Sequence, residues 1–298
     1  MKQRFTSVCL FLLTSTVISF ISCNNDSISK KVDELIQVKK LNDKAINVKL
    51  GYDAVTAIAT QKGIVVIDAG ISASLTSKYK KVIEKEFKRN DIKYVINTHA
   101  HPDHIGGNPA FTEAVIIGHE NCRNVLSEKN KDPEKTKANL LKISEKYDKE
   151  LQTFKPGTED WNIAFCQKAR YQYAYDDLLN DHKIPAWDIT FNESLSVSMD
   201  DVTLDCIYFG KAHSESDIMI HIPELKLLMT GDLFLKGGKP SIGNVEKKDV
   251  ERWKSVMQWI KARWEDMDIV VGGHGQIMSK EDLEAFNNYV EKRWAELK

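Results

Sequence analysis

The sequence predicts a mixed α+β fold interrupted by one helical hairpin. Three observations point there. Short apolar runs rich in β-branched residues occur in both halves of the chain, amphipathic stretches separate them, and histidines and aspartates fall just after several of the runs end. Loops that follow strand ends converge along one edge of an α/β layer, so that placement carries functional weight.

Residues 46–50, 54–60 and 63–67 alternate or run apolar and read as strands, the third closed by the turn Asp68-Ala69-Gly70. Ser74 can cap a helix over 75–87, whose Leu75, Tyr79, Val82, Ile83 and Phe87 share a face. Residues 92–97 form a further strand and 114–117 a short one. The character changes over 120–185. Asp132-Pro133-Glu134 supplies a cap, a first-turn proline and an acid near the helix dipole, and Leu140, Ser144, Tyr147, Leu151 and Phe154 continue a helical stripe. Lys155-Pro156-Gly157-Thr158 breaks that helix. A second begins at Thr158-Glu159-Asp160, with Trp161, Ala164, Phe165, Gln172, Tyr175, Leu178 and Leu179 near one face. Strands resume at 188–191, 195–198, 202–209, 217–222 and 225–230. An amphipathic helix over 247–264, a strand at 268–271 and a helix at 279–298 complete the chain. Ile64 to Asp68 and Leu227 to Asp232 echo one another as apolar strands ending in an aspartate turn, a hint of duplicated architecture.

The 298 residues suffice for a large core, and 29% charged against 42% apolar residues is an ordinary globular balance. A net charge of -1 argues against a nucleic-acid partner, which requires a basic face. Residues 1–22 read as a secretory signal peptide: Lys2 and Arg4 precede an apolar run too short to span a bilayer comfortably. Cys23, after Ser22 and before Asn24-Asn25-Asp26-Ser27, resembles a bacterial lipoprotein processing site. Lipidation there would tether an exported domain to the periplasmic side of a membrane, with 23–43 as the tether and 44–298 as the folded domain. Cys122, Cys166 and Cys206 form no C-x-x-C pair and read as buried, inert thiols.

Five of the eight histidines fall in three separate motifs. Thr98-His99-Ala100-His101-Pro102-Asp103-His104-Ile105-Gly106-Gly107 follows the strand at 92–97. His99 and His101, two apart in an extended segment, project to one side and can hold the same ion. Pro102 turns the chain, so Asp103 and His104 can address a neighbouring one. His213 in Gly-Lys-Ala-His-Ser, Asp232 in Thr-Gly-Asp-Leu and His274 in Gly-Gly-His-Gly each follow a strand. Seven imidazole and carboxylate donors are enough for two borderline cations, with zinc the first choice and other transition metals possible. Two such ions make a water nucleophilic near neutral pH and polarise the carbonyl it attacks. No G-x-S-x-G element supports a serine triad.

On these motifs the chain resembles the metallo-β-lactamase superfamily over roughly 44–298, with 120–185 as the least typical part. The resemblance implies an αββα sandwich with its active site along one edge. It implies His99, His101 and His213 at a first metal, Asp103, His104 and His274 at a second, Asp232 as bridging carboxylate, and Asp68 steadying a ligand histidine. Asp103 would also orient the nucleophile. The stretch 210–218, Lys236 and Asn244 are similar to the zinc β-lactamases with a cysteine ligand, where a lysine and an asparagine of this loop hold the drug's carboxylate and carbonyl. Asp232 stands where that cysteine would be, His104 stands where those enzymes carry arginine, and the lysine is one position out of register. These departures resemble the broader branch of glyoxalase-II-like thioesterases and lactonases.

The expected activity is therefore dinuclear zinc hydrolysis of a small ester, thioester, lactone or lactam. The alternatives are a dedicated zinc β-lactamase, a di-iron oxidoreductase (which usually carries Glu at the position of His101) and a non-catalytic metal-binding surface protein. His119, His182 and His221 lack motif partners. Tyr171, Tyr173, Tyr175, Trp161 and Trp187 would line a cleft only if the hairpin folds over the metals; Trp253, Trp259 and Trp264 read as packing residues.

Overall fold

Two mixed β-sheets stack face to face, and helices cover both outer surfaces. The computed structural model describes residues 27–124, 132–235 and 247–297. The first sheet has the order β1(Gln37–Lys40), β2(Ala45–Leu50), β3(Asp53–Thr60), β4(Gly63–Ile67), β5(Ile92–Ile96), β6(Val115–His119), β7(Ile189–Phe191). Its first four strands run antiparallel, and β4 to β7 pair in parallel. The second sheet runs β13(Ile277–Met278), β12(Ile269–Gly272), β11(Leu227–Gly231), β10(Ile218–Ile222), β9(Thr203–Tyr208), β8(Ser194–Ser198), with β11 and β12 its parallel pair. Each parallel pair needs a crossover, and the helical segments supply them. Helix α2(Ala73–Phe87) links β4 to β5, and α6(Lys247–Lys261) lies between β11 and β12. The hairpin α4(Pro133–Thr153) and α5(Glu159–Leu179) forms part of the β6–β7 connection.

Three apolar layers result. Ile58, Val65, Ile67 and Ile96 of the first sheet meet Leu204, Ile218, Ile220 and Met229 of the second, all buried. Val66, Leu75, Tyr79 and Ile83 fill the space under α2 and α5, and Leu228, Trp253, Met257 and Phe286 fill that under α6 and α7(Lys280–Glu296). The αββα sandwich implied by the resemblance is the observed architecture.

Several expectations shift. Residues 27–35 form a helix, α1, whose Val32 is fully buried, and β1 pairs with β2. Residues 27–40 thus belong to the fold, against a tether over 23–43. Their signal was faint because β1 is exposed at all four positions and carries no alternation. Helix α2 is capped by Ser72, whose hydroxyl accepts from the Leu75 amide, rather than by Ser74. The helix expected over 247–264 ends at Lys261, leaving Trp264 in a separate turn. Asp132 and Thr158 cap α4 and α5 as expected. The buried stripe of α5 keeps the expected Ala164 but otherwise consists of Cys166, Gln167, Ala169, Arg170, Ala174 and Asp177, while Leu179 is exposed. Cys122, Cys166 and Cys206 are buried free thiols, and burial pushes their pKa values up to about 11, 11 and 12. Among the described residues no helix is long and apolar enough to cross a membrane.

Candidate metal centre

The ligand segments meet at one edge of the sandwich because each leaves the same end of its sheet. The loop after β5 carries His99 and His101 and continues into the short helix α3(Pro102–Ile105) with Asp103 and His104. His213 lies between β9 and β10, Asp232 just beyond β11 and His274 just beyond β12. Backbone bonds lock the segments together: Ile218 N donates to Thr98 O across the two sheets at 2.9 Å, and Gly273 N donates to Gly231 O at 2.8 Å. Gly231, at φ +50, lets β11 approach Thr98, since a Cβ there would lie 2.8 Å from Thr98 Oγ1.

All seven sequence-predicted ligands are brought together, in two groups. His99, His101, His213 and Asp232 form one, and Asp103, His104 and His274 the other; within each, the donor atoms lie within 4.8 Å of one another. Asp232 Oδ2 joins the groups. It lies 4.0 Å from His99 Nε2 and 3.6 Å from His213 Nε2 on one side, and 3.6 Å from His104 Nε2 and 3.2 Å from His274 Nε2 on the other. His101 Nδ1 and His213 Nε2 face one another at 3.0 Å, an approach that a shared proton or a shared cation resolves.

The partners behind the rings set which nitrogen is free. Asp68 Oδ2 takes His104 Nδ1 at 2.9 Å, the Tyr52 carbonyl takes His274 Nδ1 at 2.6 Å, and Thr98 Oγ1 meets His99 Nδ1 at 3.2 Å. Asp68 also accepts from the Thr98 amide and hydroxyl. Each Nδ1–H is thereby occupied and each Nε2 lone pair turned inward, the outer hydrogen bonding typical of metal-binding imidazoles. His99 Nε2, His104 Nε2 and Asp232 Oδ1 are buried with no hydrogen-bond partner among the described residues. Orphaned polar atoms of this kind are costly in a protein interior unless a cation or water meets them. The donor set therefore fits transition-metal cations, as the nitrogen-rich chemistry independently requires.

Electrostatics agree. Burial, reinforced by the neighbouring His104, holds the His99 imidazole well below its usual pKa, in the neutral ligand form. Burial also pulls His104 down, but Asp68, Asp232 and Asp103 outweigh it and hold it well above the ordinary value. His274 is raised on balance by Asp232 against its burial. Asp232 resists burial through His104 and His274 and is held far below the carboxylate range; Asp103 is held below it by His104, Arg170 and His274. A cation must displace the protons that His104 and His274 retain to higher pH than a free histidine. Metal affinity of the stripped protein should therefore rise with pH until both raised values are passed, with protons released on binding. Calorimetry in buffers of differing ionisation enthalpy measures this, and a pH-independent affinity would contradict it.

Sequence reasoning missed the groups behind Asp103. Arg170 of α5 places Nη2 3.1 Å from Asp103 Oδ2 and 3.7 Å from Asp53 Oδ1. The only hint was compositional: Gln167, Arg170 and Asp177 are polar residues spaced along one helical stripe. The candidate cleft aromatics divide. Tyr171 packs beneath the Arg170 guanidinium, 5.2 Å from ring centroid to Cζ, whereas Trp187 is buried and donates to Asn97 Oδ1 at 2.8 Å. Trp161 stacks on Phe165. His119 stacks on Tyr208, His221 sets its ring edge against Trp259 and His182 meets Asp177; none joins the metal groups. Beside His101 and His213 opens a cleft of about 210 Å³, lined also by Ala100, Lys211, Ser214 and Glu215. Lys236, Asn244 and Cys23 lie outside the described residues.

The family model described as the metallo-beta-lactamase superfamily matches residues 50–274, most of the chain, a range that includes all seven clustered residues. The chain belongs to the metallo-beta-lactamase superfamily. It is a metal-dependent hydrolase by that membership and by its ligand set. A metallo-beta-lactamase type 2 of Bacillus cereus is 23% identical over 251 residues, covering 81% of this chain and 77% of the relative. One from Bacillus sp. (strain 170) is 24% identical over 290 residues and covers 92% of each. A solved metallo-beta-lactamase from Pontibacter korlensis superposes with a TM-score of 0.59 at 16% identity, over 86% of this chain and 99% of that one, a likeness of fold. Asp68, expected to steady a ligand histidine, lies 2.9 Å from His104 Nδ1.

Proposed function

We propose that this superfamily member is a dinuclear zinc hydrolase acting on a small ester, thioester, lactone or lactam. The observation that carries this reading is the division of seven donors into two groups that share Asp232 Oδ2. When bound, zinc supplies Lewis acidity and makes water nucleophilic near neutral pH. The chain's own residues supply the geometry. Asp103, kept ionised by His104, Arg170 and His274, accepts a hydrogen bond from the attacking water and orients it. Asp68, the Tyr52 carbonyl and Thr98 hold three imidazoles in their ligand tautomers. The cleft beside His101 and His213 is the place for the substrate's carbonyl.

A dedicated zinc β-lactamase is the second reading. The names of the Bacillus relatives favour it; Asp232 and His104, standing where such enzymes carry cysteine and arginine, favour the broader one. Lys236 and Asn244 remain its candidate drug-carboxylate and carbonyl contacts. One panel separates the two: a chromogenic cephalosporin beside lactones and thioesters, with zinc-loaded and chelated protein and the bound metal counted. Turnover lost on chelation and restored by zinc is expected. Brisk lactone or thioester hydrolysis with an inert cephalosporin would exclude the lactamase, and chelator-insensitive turnover would exclude both.

The leader at 1–22 and Cys23 support export and a lipid anchor on the periplasmic side of a bacterial membrane. Cell fractionation tests it: Cys23→Ser should move the protein from the membrane to the soluble fraction.

A further inference from the structure

The hairpin between β6 and β7 does more than cover the sheet, because one of its side chains reaches a metal ligand. Arg170 is only 3% exposed in its side chain, and the Asp53 it also faces is not exposed at all. Asp53 is itself held in place: Oδ1 accepts from the Ile71 amide at 3.0 Å and Oδ2 from the Tyr79 hydroxyl at 2.9 Å. The guanidinium is thus anchored on the protein side by Asp53 and meets Asp103 from behind. Asp103 is 27% exposed in its side chain. With Oδ2 engaged by Arg170, Oδ1 stays 4.0 Å from His104 Nε2. One guanidinium between two carboxylates leaves a net negative charge beside His104 and His274, which a cation there balances.

We propose that Arg170 is a positioning residue that presents Asp103 to the second cation, so that the inserted hairpin sets the affinity of one metal position and not the other. This rests on the two-cation reading. Docking of the hairpin does not depend on Arg170 alone. Asp177 accepts from the Ser74 amide and hydroxyl at the start of α2, and Cys166 packs against Gly51, where a Cβ would come within 2.8 Å. One nitrogen, Nη2, faces both carboxylates and is within hydrogen-bond distance of Asp103 alone; a lysine ammonium, on a shorter and more flexible stem, would keep the charge without that placement.

Cobalt(II) titration of the metal-free protein, read by visible absorption and by metal counting, tests the assignment with Arg170→Gln and Arg170→Lys. The wild type should take two equivalents. Arg170→Gln should bind the first as the wild type does and the second about 10- to 100-fold more weakly, the usual cost of losing a hydrogen bond behind a metal ligand. Arg170→Lys, which keeps the buried positive charge, should fall between them. If Arg170→Gln does not fold, Arg170→Lys carries the test alone, with a weakened second equivalent and an unchanged first as the supporting result. Second-ion affinity equal to wild type in the folded variants overturns the proposal. So does an equal weakening of both ions, which marks a merely structural role. A wild-type protein holding fewer than two ions overturns the two-cation reading itself.

Discussion

Asp232→Ala is expected to keep its fold, lose both cations and lose about a thousandfold in turnover. The size follows from removing several kcal/mol of charge stabilisation at the reacting carbonyl, at roughly 1.4 kcal/mol per factor of ten. The breadth follows from geometry. Among the clustered ligands Asp232 alone approaches members of both groups through one oxygen, with four imidazole nitrogens between 3.2 and 4.0 Å of Oδ2. Asp103→Ala should by contrast release only the cation shared with His104 and His274. The fold should survive, because Asp232 lies beyond the end of β11 and His104 keeps Asp68. Metal counting on the two variants, with circular dichroism as the control for folding, separates the outcomes. An Asp232→Ala protein that still carries two equivalents and turns over normally would end the bridging role.

The clustering of the seven candidate ligands was legible in the sequence for a local reason. Two histidines at i and i+2 in an extended segment share a side, and the remaining donors each follow an apolar run whose end is visible as Gly or Asp. Strand-end placement is therefore nearly a statement about space. Arg170 was not legible, because its partner Asp103 lies 67 positions away and only packing of α5 on α2 and the β2–β3 turn brings them together. Helical periodicity misjudged that helix as well. Its buried stripe carries Gln167, Arg170 and Asp177, while Leu179 points outward, so hydrophobic spacing found Ala164 and Phe165 but missed the polar part of the buried face. Tertiary hydrogen bonding had overridden the pattern, as it tends to near functional sites. The strand β1 escaped for the opposite reason: an edge strand exposed at every position carries no period of two, and its lysines read as solvated coil.

Gly107→Ala should destabilise the protein by about 3 kcal/mol, toward the upper end of what overpacking costs. Backbone strain is not the cause, since Gly107 sits at φ -85 and ψ -3, where alanine is comfortable. Space is. A Cβ there would lie 1.9 Å from the Ala69 carbonyl oxygen and 2.1 Å from Thr76 Oγ1. Neither neighbour can yield cheaply. Ala69 O accepts the Thr76 hydroxyl, Ala69 N donates to His104 O at 2.8 Å, and Gly107 N donates to Gly70 O at 3.1 Å. The clash therefore falls on the contact that presses the His99–His104 loop against the end of β4, and relief would have to move His104 away from Asp68. A melting temperature lower by about 5 to 10 °C is expected, with weakened metal binding in the same variant. Gly157 provides the control with the opposite balance: at φ +85 and with nothing within 4 Å of its Cβ position, alanine there meets strain but no clash. Gly157→Ala should cost about 1 to 2 kcal/mol and leave the metal content untouched, because the turn between α4 and α5 contributes no ligand. Equal melting temperatures for Gly107→Ala and the wild type would show that the loop and the β4 turn are not pressed together as described.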